Sequence, residues 1–282
     1  MPRLLPRLRA LHPDLSPVQK RVAGYVLEHP DATIYHSVTE LAEATSSSEG
    51  SIIRFCQELG FSGFQEFKLK LAVELSPAGR AGAPGEADDG RATAEQNLLA
   101  EITAGATAAM ADTASLFDAA AFDSCVKALA ESRHIDIYGV GASGIIADYW
   151  AYKFLRLGLP AQAFTDPHLA AMSASGLPEN SLAIGISSSG STKDTMRALE
   201  AAREGGALTV SVTNRLKSPL TRVADLNLFA SPPESPLTGG DVFAKIGQLL
   251  ILEGLTRQLL ALNGDRLEAV QRTAQAVSDR SL

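Results

Sequence analysis

Apolar residues follow two different periods along this chain, and the change from one to the other divides it. Between residues 16 and 75 they recur every three or four positions, which predicts helices. Ser16-Pro17 opens the first of these. The serine caps, and proline takes the first helical position, where its missing N–H costs nothing. Val18, Val22, Tyr25 and Val26 then share a face, and His29-Pro30 ends the helix. Ser37-x-x-Glu40 is a capping box for a short helix carrying Val38, Leu41 and Ala42. Ser48 caps the next, with Ile52, Phe55, Cys56 and Leu59 inward and Gly60 at its stop. Ser62 is the expected start of a last helix, with Phe64, Phe67, Leu71 and Leu75 inward.

Residues 77–92, PAGRAGAPGEADDGRA, have no apolar period and read as a linker. Thr93 to Glu131 predicts one or two alanine-rich helices. Beyond them the period shortens. HIDIYGV, AQAF, LAIGIS, LTVSVT and LNLFA are short apolar or β-branched runs. Helical stretches at Gly144–Leu157, His168–Ser175, Thr192–Gly205 and near Leu220 separate most of them. Such alternation predicts a parallel sheet covered on both faces, with Asp241 to Leu262 as a closing helix. The expected organisation is an all-α domain over 1–76, a linker over 77–92 and an α/β domain over 93–282.

Composition narrows the class. At 282 residues and 45% hydrophobic, the chain suits globular domains and not a disordered segment. No apolar run reaches membrane-spanning length, and the basic start MPRLLPRLRALHPDLS lacks a signal-peptide core, so a cytoplasmic protein is expected. Cys56 and Cys125 have no partners at metal spacing and are expected to be reduced and buried, with no metal site. The net charge of −7 counts weakly against nucleic-acid binding, but it is unevenly spread. Residues 1–76 hold 8 Lys/Arg against 9 Asp/Glu, while the rest hold 17 against 23. Arg3, Arg7, Arg9, Lys20 and Arg21, then Lys68 and Lys70, form local basic groups, and DNA binding depends on local charge.

A short helix, the turn Ala44-Thr45-Ser46-Ser47 and a second serine-capped helix describe a helix-turn-helix. The first turn of the second helix would meet base edges in the major groove. That places Ser48, Glu49, Gly50, Ser51 and Arg54 outward, with Ile52 and Cys56 inward. Arg54 can donate two hydrogen bonds to a guanine edge or bind a phosphate. An ordinary helical bundle with a tight corner has the same period. The stretch SPVQKRVAGYVLEHPDATIYHSVTELAEATSSSEGSIIRFCQELGFSGFQEFKLKLAVEL resembles the N-terminal domain of the RpiR family of bacterial regulators. That resemblance makes the helix with Arg-Phe-Cys the recognition helix. Ser47 stands where the family often has an apolar residue, and Gly50 replaces a better helix former at about 1 kcal/mol against alanine.

Further along, YGVGASG (Tyr138–Gly144) follows a strand and opens a helix, with Gly139, Gly141 and Gly144 fitting the dinucleotide fingerprint GxGxxG. Asp166, near the end of the second strand, fits the acidic partner of that reading. The third strand argues for a different ligand. It runs into GISSSGST, whose hydroxyls and Gly190 suit an anion. Two such turns at neighbouring strand ends can bracket one phosphate. His168, Asp166, Glu253 and Lys245 are the candidates for acid–base chemistry, though none sits in a catalytic motif.

From about His134 to about Leu262 the chain resembles the sugar isomerase (SIS) domain, through IYGVGASG, AYKFLRLG, AFTDPH and GISSSGSTKDT. The resemblance implies a five-stranded parallel sheet flanked by helices. It also implies a phosphosugar held by Ser143, Ser187, Ser189 and Thr192, with Gly141, Ser188 and Gly190 lining the turns. Ser191 stands where the family often has Glu. The combined expectation is a DNA-binding regulator of sugar metabolism, without catalysis or cofactor. It would be a homodimer or homotetramer, with a double-stranded DNA operator and a phosphorylated sugar as partners and no membrane. The alternatives are a phosphosugar isomerase with a helical appendage and an NAD-binding enzyme.

Overall fold

The computed structural model describes residues 4–76, 91–238, 240–262 and 264–278. Most of the expected linker therefore lies outside the described residues, and Arg91 already begins a helix. The chain forms two compact units: Met1–Thr103 with Glu234–Asp241, and Ala104–Pro233 with Val242–Leu282.

The first unit is helical: α1 (Leu4–Leu11), α2 (Pro17–Glu28), α3 (Pro30–Thr33), α4 (Val38–Ala44), α5 (Glu49–Glu58) and α6 (Phe64–Leu75). Capping determines where several of these start. Ser16 with Gln19, and Ser37 with Glu40, form reciprocal capping boxes, and Ser48 accepts from the Ser51 amide. The start of α6 differs from expectation. Gly63, in extended backbone, is its N-cap without a side-chain bond, so Ser62 stands one residue too early to cap. The Ser62 amide instead donates to Glu66 Oε2 at 2.6 Å, which lowers the Glu66 carboxyl pKa.

Helix α1 is the main addition to the sequence reading. Its residues, expected to be a basic start, bury Leu4 and Leu8 in a core with Ile52, Phe55, Cys56, Phe67 and Leu71. Each buried leucine contributes about 1.5–3 kcal/mol. The Glu74 carboxylate on α6 accepts the amides of Leu4 and Leu5, two of the orphan donors at the start of α1.

The second unit follows the expected alternation. Helix α7 (Arg91–Ser115) leads in from the first unit, followed by α8 (Ala119–Glu131). Then come β1 (Ile135–Tyr138), α9 (Ala142–Arg156), β2 (Ala161–Phe164), α10 (Pro167–Ser175) and β3 (Leu182–Ile186). The remainder is α11 (Lys193–Glu204), β4 (Leu208–Thr213), α12 (Pro219–Val223), β5 (Leu226–Phe229), α13 (Val242–Leu262) and α14 (Asp265–Ser278). All strand pairs are parallel, in the order β2-β1-β3-β4-β5. Alternate residues serve opposite faces. Ile135, Ile137, Ile184 and Val210 pack with Trp150, Phe154 and Leu255, whereas Tyr138 and Ala183 pack with Ala174, Leu199 and Leu220. Each unit encloses one buried thiol, Cys56 in the first and Cys125 in the second; burial pushes both pKa values up to about 12.

Candidate DNA-reading helix and anion cradle

Helix α5 presents the residues that the pattern assigned to it. Ile52, Phe55 and Cys56 are buried, while Ser48, Gly50 and Arg54 are exposed and Glu49 and Ser51 half-buried. The Ser48 and Ser51 hydroxyls lie 2.9 Å apart at the open end of the helix. Glu49 does not point wholly outward, because its carboxylate accepts the Thr39 hydroxyl of α4. That bond ties the two helices of the motif together and turns the negative charge sideways, next to the helix N-terminus where it is favourable.

Two of the basic residues counted from sequence have other work. Arg21 on α2 donates from Nε to the Thr45 carbonyl at 3.1 Å and from Nη2 to the Ser46 carbonyl at 3.0 Å. These carbonyls end α4, and Ser46 holds a left-handed φ of 48°. Arg21 therefore fixes the turn that aims α5, a role that no sequence period reveals. Lys68 is buried, with Nζ on the His36 carbonyl at 2.8 Å. Arg7 and Arg9 lie exposed on α1.

In the second unit the glycine and serine turns follow β1 and β3, which are adjacent strands, with Tyr138 in register with Gly185. The chain winds from β1 toward β2 on one side and from β3 toward β4 on the other. This is the topological switch point of an open α/β sheet, where a crevice forms at the strand ends. Gly141 adopts φ 60° and ψ −130°, and it caps α9 without a side-chain bond. Thr192 caps α11 likewise without a side-chain bond to the helix. Two helices thus start at the crevice with first-turn amides that no side chain caps, a ready anion site.

The hydroxyls are arranged around these starts. Ser143 lies buried in the first turn of α9. Ser187 Oγ is 3.0 Å from Thr192 Oγ1 across the second turn, and Ser189 Oγ accepts the Ser191 amide at 3.2 Å. Ser189 and Thr192 are half-buried, whereas Ser187 and Ser188 are buried. Gly190 holds a φ of 60°, and its Cα faces the Ser218 side chain so closely that a Cβ would overlap it. Ser188 departs from the rest. Its hydroxyl turns inward, accepting from Lys245 Nζ and from Gln248 Nε2 at 3.0 Å, both on α13.

Three of the four side chains considered for acid–base chemistry are held in hydrogen bonds or ion pairs. Asp166 caps α10, its Oδ1 accepting the amides of His168 at 2.9 Å and Leu169 at 3.0 Å. Glu253 bonds to Arg257 and pairs with Lys153 at 3.4 Å; the Arg257 hydrogen bond, then Lys153, lower its carboxyl pKa. Lys245 is bonded to Ser188, and His168 is exposed at the start of α10.

Known proteins carry the same two parts. The helix-turn-helix domain model of the rpiR family matches residues 3–78, and the SIS domain model matches residues 128–253. An HTH-type transcriptional regulator of Caldanaerobacter subterraneus is 38% identical over 249 residues, 87% of this chain and 86% of that one. The HTH-type transcriptional regulator RpiR of Escherichia coli K12 is 27% identical over 276 residues, 98% of this chain and 92% of that one. Among solved structures, the Vibrio vulnificus NanR protein complexed with ManNAc-6P superposes with a TM-score of 0.89 at 34% identity, covering 99% of this chain and 100% of that one. The sugar isomerase domain of an RpiR transcription factor from Sphaerobacter thermophilus, at 22% identity and a TM-score of 0.57 over 64% of this chain and 98% of that one, shares the fold.

The chain belongs to the RpiR family of helix-turn-helix transcriptional regulators carrying a SIS domain. Among the described residues, no helix is long and apolar enough to cross a membrane.

Proposed function

We propose that this regulator reads a double-stranded operator through Ser48, Glu49, Gly50, Ser51 and Arg54, and that its SIS unit senses a phosphorylated sugar. The observation that carries the sensing half is the pair of helix starts without side-chain caps at the β1/β3 crevice, surrounded by Ser143, Ser187, Ser189 and Thr192. Amides and hydroxyls in that arrangement stabilise a phosphate dianion by hydrogen bonds and helix dipoles. Gly141 and Gly190 supply the left-handed turns, and Ser188 supports the second turn from behind. ManNAc-6P in the related NanR makes a hexosamine phosphate the first ligand to try. The regulator acts in the cytoplasm, on the operators of sugar-metabolic genes. A homodimer or homotetramer fits the apolar stripe on α9, where Ile145, Tyr149, Tyr152 and Leu155 are exposed and the two tyrosine rings stack.

The test is a thermal-shift and calorimetric screen of hexose and hexosamine phosphates beside their unphosphorylated parents and NAD. A ligand that binds only the folded state raises the melting temperature by mass action. The phosphorylated compound should bind and its parent bind far more weakly. Ser189→Ala should lose much of the shift while ligand-free DNA binding is kept. Binding of NAD with no phosphosugar binding would overturn the proposal.

A further inference from the structure

The inward turn of Ser188 begins a chain of buried polar contacts. Gln248 Nε2 donates to Ser188 Oγ at 3.0 Å and to Asn214 Oδ1 at 2.8 Å. Asn214 Nδ2 then donates to the Pro232 carbonyl at 2.9 Å and the Ala244 carbonyl at 3.2 Å, and the Asn214 amide donates back to the Ser188 carbonyl at 3.3 Å. Next to Pro232, the Ser231 amide donates at 3.0 Å to Thr113 Oγ1 on α7. Ser188, Asn214, Gln248 and Thr113 are all at most 5% exposed.

The far end of this chain lies where the polypeptide changes units. It leaves the second unit after Pro233 and re-enters at Val242, and α7 enters at Ala104. Asn214 therefore grips both flanks of the 234–241 excursion, and Thr113 joins one flank to α7. Packing makes the junction stiff. A Cβ on Gly247 would stand 2.5 Å from Thr113 Oγ1 and 2.7 Å from the Ser231 carbonyl. Gln248 Oε1 is buried with no hydrogen-bond partner among the described residues, so the network has a bond still to gain by rearranging.

We infer that Gln248, Asn214 and Thr113 are positioning residues that couple occupancy of the phosphate turn to the chain segments belonging to the DNA-reading unit. This rests on the phosphosugar reading above. A ligand that pulls on the 187–192 turn moves Ser188, and the bonded series carries that displacement to residues 231–233, 242–244 and α7. Coupling of this kind is reciprocal in binding free energy, so it is measurable from either site.

The experiment uses the full chain, a DNA duplex selected from a random pool by the wild-type protein, and three probes: ManNAc-6P, N-acetylglucosamine 6-phosphate and glucose 6-phosphate. Thr113→Val removes one hydroxyl, far along the chain from the cradle. Sugar affinity and sugar-free DNA affinity should stay within about two-fold of wild type, while the sugar-induced change in DNA affinity falls by roughly five-fold or more. Thr113→Ser should restore it. A Thr113→Val protein with the full sugar effect overturns the inference. Hydrogen exchange on the wild-type chain gives a reading that does not depend on the variant folding. The sugar should change protection at residues 109–115 and 228–248 as well as at 187–192. A change confined to 187–192 also overturns the inference. If none of the probes binds wild type or alters its DNA affinity, the phosphosugar reading fails and takes the relay with it.

Discussion

Gly190 and Gly141 both hold a φ of 60°, yet the space around them differs, and a pair of alanine substitutions compares the two turns. At Gly141 an added Cβ meets nothing within 4 Å. Gly141→Ala should cost only the backbone strain of φ 60° with ψ −130°, a region almost restricted to glycine, about 1–3 kcal/mol. At Gly190 the same Cβ would overlap the Ser218 hydroxyl, standing 2.5 Å from Ser218 Cβ and 3.1 Å from Thr213 Oγ1. Ser218 cannot yield freely, because it is fully buried and caps α12 in a reciprocal box with Thr221. Overpacking adds about 1–3 kcal/mol to the positive-φ strain in Gly190→Ala. If Ser218 swings aside instead, the lost cap costs about 1 kcal/mol. Urea unfolding followed by the fluorescence of Trp150, the single tryptophan and fully buried in the second unit, reads that unit directly. Gly190→Ala should shift the midpoint further than Gly141→Ala with an unchanged slope. Equal losses in the two variants would refute the steric argument at the second turn.

Arg54→Ala should weaken specific DNA binding by about 1–3 kcal/mol in a fluorescence-anisotropy titration, with no loss of melting temperature; unchanged operator affinity would remove α5 as the reader. Arg7→Gln with Arg9→Gln should make the log–log salt dependence of DNA affinity less steep by about 1.8, if both meet phosphates. Charge substitution is the right perturbation there, since deleting α1 would uncover the core around Leu4 and Leu8. Arg21→Met keeps the aliphatic stem and loses the bonds to Thr45 and Ser46. It should cost about 1.5–3 kcal/mol in thermal unfolding and weaken DNA binding too; wild-type stability would mean that the turn holds itself.

Much of the architecture was legible in the sequence because local signals agreed with the tertiary result. The capping boxes at Ser16, Ser37 and the cap at Ser48 are read within four residues of chain, and the β-branched runs became five parallel strands. The turns after β1 and β3 were legible from their glycine and hydroxyl residues at strand ends. What stayed hidden depends on partners distant in sequence. Helix α1 could have been found from Leu4, Leu8 and Leu11 at helical spacing, but Pro6 and the arginines mask it, and its cap is Glu74. The duties of Arg21, Lys68 and Ser188 are set by carbonyls and side chains 24 to 60 residues away. The charges of Arg21 and Lys68 look free in the sequence, but folding commits both to backbone carbonyls.

The two buried thiols give each unit its own clock. A protonated, inaccessible thiol does not react with a thiol reagent, because the thiolate is the nucleophile and the reagent needs access. Labelling of Cys56 therefore waits for the DNA-reading unit to open, and labelling of Cys125 waits for the sensing unit. The two rates, separated by mass spectrometry of one sample, report the local unfolding of each unit without any added probe. DNA should slow the first rate and a phosphosugar the second. Any slowing of one by the other's ligand is communication between the two halves of the chain, expressed as a rate at a single sulfur atom.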